Sequence, residues 1–81
     1  MNSKDIEQCV RRSVEDYLRD LSGSEPNALH GLFLSVAEKP LQEVVLRHAH
    51  GNQRKAAQWL GINRNTLRRK LVEHRIADLQ T

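Results

Sequence analysis

Apolar residues recur at spacings of three and four along most of the chain, and the pattern changes length partway. Ile6, Val10, Val14, Tyr17, Leu18 and Leu21 fall on one side of a helix expected over about 2–21, with Cys9 on the same side and polar residues elsewhere. The stretch SGSEPN, with Gly23 and Pro26, reads as a loop. A second helical pattern covers about 27–50. Leu29, Leu32, Phe33 and Val36 form its first stripe, and Leu41, Val44 and Val45 its second. Pro40 lies between them. It lacks an amide proton and opposes the carbonyl of Val36, so a kink or break is expected there. Gly51 is expected as the helix C-cap.

Two short helices follow. Asn52 suits the N-cap of a helix over 53–60, and Gly61 stops it. Asn63 caps a fourth helix over 64–74, and Ile62 and Leu67 stand at hydrophobic-staple spacing around that cap. Residues 77–81 are expected to fray. The reading is all-α: two long N-terminal helices over 1–50 and a helix-turn-helix unit over 51–81, in one compact domain. A steep crossing of two short helices needs a small residue where they meet, which Ala57 supplies. It needs a turn that tolerates positive φ, which Gly61 supplies. Ala56, Leu60, Ile62, Leu67 and Leu71 are placed to fill the wedge.

Charge sharpens this picture. Residues 1–50 carry six Lys and Arg against eight acids, a net of −2; residues 51–81 carry seven against two, a net of +5. The basic third points to a polyanion; charge alone fits a solvated basic face that binds nothing equally well. With Leu67 and Leu71 inward, Asn65, Thr66 and Arg69 point outward and Arg68 and Lys70 flank them. Arg64 and Arg68 repel at i,i+4 spacing, and Arg64 also faces the positive end of the helix dipole. Phosphate would relieve both penalties. Asn63 and Arg64 stand at the end that recognition helices aim at base edges. Arg64 suits a bidentate contact to guanine, and Asn63 or Asn65 one to adenine or the backbone. Thr66, Arg68, Arg69 and Lys70 suit phosphates. So do Asn52, Gln53, Arg54 and Lys55, at the start of the third helix.

Size matters as well. With 81 residues the core of a monomer is thin. An apolar stripe of about 30 Å exceeds what two short helices can cover. An isologous contact between copies would close it. The dimer core expected from this argument is Ile6, Val10, Val14, Tyr17, Leu18, Leu21, Leu29, Leu32, Phe33, Val36, Leu41, Val44 and Val45. Cys9 is expected to be buried near that contact. Trp59 suits edge packing on the third helix.

The segment GNQRKAAQWLGINRNTLRRKL resembles the helix-turn-helix of the Fis family of bacterial nucleoid proteins, related to the C-terminal domains of NtrC-type activators. The likeness continues through KPLQEVVLRHAHGNQ and covers about 10–75, with GNQ..AA..LGINR.TLR as its specific motif. It implies an intertwined homodimer, built on the first two helices of each subunit, with a helix-turn-helix at each end. The family's DNA-contacting positions match at Asn52, Asn63, Arg64, Thr66, Arg68 and Arg69. It also implies degenerate pseudo-palindromic sites and DNA bending, because the recognition helices lie closer than one helical turn of about 34 Å. Part of the sequence preference is then indirect readout. The function implied is that of a nucleoid-associated transcriptional regulator, with RNA polymerase a candidate partner. The chain starts too late for the N-terminal β-hairpin arm of enteric members, so contact with DNA invertases is not expected. Arg54 replaces a threonine of those members and Asn65 a glycine.

Two alternatives stand beside this reading. One is a detached C-terminal domain of an NtrC-type activator, against which Met1 and the lack of a linker or ATPase remnant argue. The other is a helical interaction module whose basic helix docks an acidic protein. An enzyme is not expected: His30, His48, His50 and His74 are scattered, and no phosphate loop or nucleophile–base pair occurs. No cofactor or metal is expected. The single cysteine, the missing apolar h-region and the lack of a run of about 20 apolar residues point to a cytoplasmic, nucleoid location without membrane contact.

Overall fold

A computed structural model describes residues 2–76. They form four α-helices: α1 (Ser3–Asp20), α2 (Leu29–His48), α3 (Gln53–Leu60) and α4 (Arg64–Glu73). The architecture is all-α. Asn2 caps α1, its side chain accepting a 2.9 Å hydrogen bond from the Lys4 amide. Ala28, in a left-handed conformation at φ 55°, precedes α2 and gives it no side-chain cap, so the helix begins two residues later than the pattern predicts.

Pro40 does not break α2, which continues for eight residues beyond it. The expected break is absent for a physical reason. Pro40 and Val36 are both exposed residues, and on such a side water can satisfy the carbonyl that a proline leaves without an amide partner. The helix end also differs from expectation. The C-cap is Ala49; His50 and Gly51 then both turn left-handed, at φ 57° and 78°, and the Gly51 amide donates back to the Leu46 carbonyl at 2.9 Å. That bond closes a Schellman-type end and aims the chain into α3.

The core sits at the C-terminal end. Leu46, Ala49, Ala56, Ala57, Leu67 and Leu71 are buried together, with Val45, Leu60, Ile62 and Ile76 packed around them. The wedge residues expected from sequence are all in this cluster. Val45, expected in the dimer stripe, is partly buried against this cluster, and α2 supplies Leu46 as a fully buried anchor. Gly61 makes the α3–α4 turn at φ 73°. An L-residue there pays roughly 1–2 kcal/mol in backbone strain.

The N-terminal half is different. No residue of α1 is buried. Tyr17 meets Phe33 of α2 edge-on, with ring centroids 5.7 Å apart. Ile6, Val10, Leu18, Leu32, Val36, Leu41, Val44 and Cys9 are exposed in the single chain. The radius of gyration is 15.1 Å, against about 12 Å for a compact chain of this length. The surface is 6617 Å², against about 5,000 Å² for a compact monomer of this mass. Among the described residues, no helix is long and apolar enough to cross a membrane.

Gln42 is a buried polar residue in α2, 3% exposed, and its Oε1 accepts no hydrogen bond from the protein. It lies one helical turn from Leu46, on the side that faces α3 and α4. A buried, unpaired amide oxygen costs about 1–3 kcal/mol. Gln42→Met, of similar shape, is therefore expected to raise stability by about 1 kcal/mol, read as a higher urea midpoint at unchanged slope. A lower midpoint would show that the amide is satisfied in solution.

Candidate nucleic-acid interface

Two asparagines set the starts of α3 and α4. Each caps its helix in an extended conformation. Asn52 Oδ1 accepts from the Lys55 amide at 3.0 Å, and Asn63 Oδ1 from the Asn65 amide at 2.7 Å. These bonds satisfy amides that a helix start would leave unpaired. They also fix where the next side chains point. Arg64 is the first helical residue of α4, and neither α3 nor α4 has an acid in its first turn.

Leu67 and Leu71 anchor α4 inward, and Thr66 is half-buried beside them. Asn63, Arg64, Asn65, Arg68 and Arg69 are exposed on the rest of the helix, and Asn52, Arg54 and Lys55 are exposed at the start of α3, where Gln53 is half-buried. Among the described residues, Arg54, Lys55, Arg64, Arg68 and Arg69 have no ion-pair partner. The helix-turn-helix thus presents five unneutralised cations, Arg54, Lys55 and Arg64 at the two helix starts and Arg68 and Arg69 midway along α4. Such an arrangement suits a polyanion, because each phosphate offsets both the mutual repulsion and the helix-dipole penalty.

Lys70 stands apart from that set. Its Nζ lies 3.0 Å from Glu38 Oε2 of α2, and the side chain is about one-quarter exposed. The sequence places Lys70 among the phosphate-binding cations; the structure turns it toward α2. Glu38 Oε1 lies 2.7 Å from Nε2 of His74, the C-cap of α4. Glu38 therefore bridges two residues one turn apart on α4. The hydrogen bond from His74, then that from Lys70, hold its carboxyl below the usual glutamate range, against a smaller upward push from burial. Sequence reading missed this cluster because its members are separated by 32 to 36 positions. The only local signal was an acid one turn before Gln42 on the inward side of α2. Trp59 is 57% exposed, so the edge packing expected of it covers less than half of the ring system.

The sequence profile described as "Bacterial regulatory protein, Fis family" matches residues 33–74. That span runs from the first third of α2 through α4 and its cap. A Fis-like DNA-binding protein of Neisseria meningitidis is 49% identical over 70 residues, covering 86% of this chain and 89% of that protein. The DNA-binding protein Fis of Glaesserella parasuis is 45% identical over 69 residues, 85% of this chain and 70% of its own length. The protein of that name from Aliivibrio fischeri is 42% identical over 74 residues, covering 91% and 76%.

The Glu38 cluster has a pH signature. A carboxyl whose folded pKa is depressed contributes stability above its unfolded value, and that contribution is lost as pH falls through the folded pKa. Glu38 is about one-third exposed, so the gain at pH 7 is that of a screened pair, about 0.2–1 kcal/mol. Urea unfolding of Glu38→Gln and of the unaltered protein should differ by this amount at pH 7. The gap should close below the ordinary glutamate value of 4.5. A gap that stays constant down to pH 3 would contradict the ionised bridge.

Proposed function

The chain belongs to the Fis family of bacterial regulatory proteins, and from that premise we propose that it works as a homodimer that binds double-stranded DNA, bends it and regulates transcription as a nucleoid-associated protein. The observation that carries the DNA-binding part is the exposed cation set at the capped starts of α3 and α4, without acids in either first turn. The relatives' names describe DNA-binding proteins, which agrees with this reading.

In this mechanism α4 enters the major groove with its N-terminal end toward the bases. Arg64 reads guanine O6 and N7 through its planar fork, and Asn63 and Asn65 contact adenine or the sugar-phosphate chain. Thr66, Arg68 and Arg69 hold phosphates and set register. Asn52, Gln53, Arg54 and Lys55 grip the backbone where α3 crosses it. Lys70 is assigned to the fold rather than to the DNA, because Glu38 holds its ammonium.

The homodimer rests on a separate observation. Ile6, Val10, Leu18, Leu32, Val36, Leu41 and Val44 are all more than one-third exposed in a single chain. Val14, Tyr17, Leu21, Leu29 and Phe33 are only half-buried beside them. Apolar exposure on this scale marks an interface. Pairing α1 and α2 with those of a second copy buries the stripe, and a twofold axis puts one α4 at each end of the assembly. Two α4 helices closer together than one DNA turn reach successive major grooves only if the duplex curves, which is the proposed origin of bending.

Binding to duplexes should weaken steeply between 50 and 200 mM salt, by about 10³-fold or more if six phosphates are contacted. Arg64→Ala should cost about 1–3 kcal/mol on a site selected by the protein from a random pool, and less on random duplexes. A variant that binds both equally weakly would remove the base-reading role of Arg64. No binding of any duplex in dilute buffer would overturn the function. The dimer should show in sedimentation, and in a melting midpoint that rises with protein concentration. A concentration-independent midpoint with a monomer mass would overturn it.

A further inference from the structure

The recognition helix is tied to the rest of the molecule by two routes. The first is the buried core: α4 packs on α3, and α3 on the end of α2, through Leu67, Leu71, Ala57, Ala56 and Leu46. The second bypasses α3. Glu38 lies two helical turns before Leu46, and its two carboxylate oxygens take Lys70 and His74 from the C-terminal half of α4. Lys70 and His74 share the face of α4 that carries Leu67 and Leu71, by their spacing of three, four and seven. The core holds α4 on one side of the Gly61 turn, and the Glu38 bridge pins its far end. A helix fixed at two separated points cannot swing about the turn that starts it.

We infer that Glu38 is a positioning residue for DNA recognition: by bridging Lys70 and His74 it fixes the tilt of α4 against α2, and with it the disposition of the two recognition helices across the dimer. This inference rests on the homodimeric DNA-binding reading above. Its physical basis is leverage. Within the dimer α2 belongs to the shared scaffold, so any change in the angle between α2 and α4 moves the two reading heads apart or together. Neighbouring base pairs are about 3.4 Å apart along the duplex, so a small change in tilt alters which half-site spacing fits. Phosphate affinity depends on charge and is little affected by tilt; breaking the bridge also releases the Lys70 ammonium to solvent. Loss of Glu38 should therefore lower discrimination without lowering non-specific affinity.

The test uses the whole chain and a duplex that the unaltered protein selects from a random pool. It also uses versions with one base pair inserted or removed between the half-sites, and a random duplex. Glu38→Gln is expected to keep the dimer and its helical content. Its selected-to-random affinity ratio should fall about threefold to tenfold, its preference among spacings should flatten, and its affinity for the random duplex should be unchanged or higher. Glu38→Asp, which keeps the carboxylate, should restore part of the ratio. A folded Glu38→Gln dimer with the original ratio and the original optimum spacing overturns the inference, while the DNA-binding reading stands. If Glu38→Gln does not fold, His74→Gln decides by the same ratio and spacing measurements, and unchanged values overturn the inference. Failure of the unaltered protein to bind any duplex would instead remove the underlying reading.

Discussion

The rest of the structure depends on how little core one chain can build. Among the described residues six apolar side chains are buried, all of them between the end of α2 and α4. They organise a helix-turn-helix and nothing beyond it. About half of the described chain, α1 and the first part of α2, has apolar residues in helical register that the single chain leaves exposed or only half-buried. Ordering a residue costs about 1–2 kcal/mol of conformational entropy, and in proteins most helical stability comes from packing an apolar face. The long helices are therefore stable only if something covers them. The proposed second copy does so, and it makes folding and the pairing of two reading heads a single event.

That constraint separates what was legible in the sequence from what was not. The helix-turn-helix could be read because its determinants are local. Asn52, Gly61 and Asn63 act on the backbone within three residues of themselves, and the wedge residues recur within one or two turns. Pro40 misled the reading for the same local reason. Its cost is real, but an exposed position and long helical flanks on both sides absorb it. Leu46 and Ala49 were missed because the apolar stripes read from spacing lie largely on the side of α2 that is exposed in the single chain. The periodic pattern puts Leu29, Leu32, Phe33 and Val36 in one stripe and Leu41, Val44 and Val45 in a second, whereas the residues of α2 and its cap that are buried in the single chain are Gln42, Leu46 and Ala49. A face that mixes polar and apolar residues yields a weak amphipathic signal, so only the tertiary arrangement identifies it.

The candidate interface shows the same division. Exposed cations are readable from helical spacing alone, and Arg64, Arg68 and Arg69 lie where that spacing puts them. Lys70 could not be read in this way. At 100° per residue it borders the outward face, and only the approach of Glu38, 32 positions earlier, decides which way the ammonium turns. A partner so distant in sequence leaves no periodic trace.

The contrast between Lys70 and its neighbours also bears on why the other cations remain unpaired. The fold is able to neutralise a basic side chain on α4, since it brings a carboxylate from α2 to meet Lys70 and His74. No such partner is brought to Arg64, Arg68 or Arg69 among the described residues. Arg64 in addition sits at the helix end where positive charge is least favourable. Neutralisation on one side of a ten-residue helix and frustration on the other is a division of labour. The paired side holds the helix against its scaffold. The unpaired side stores repulsion of about a few tenths of a kcal/mol per like-charged pair; in the proposed complex phosphates would release it, so part of the binding energy would be set up in the unbound protein.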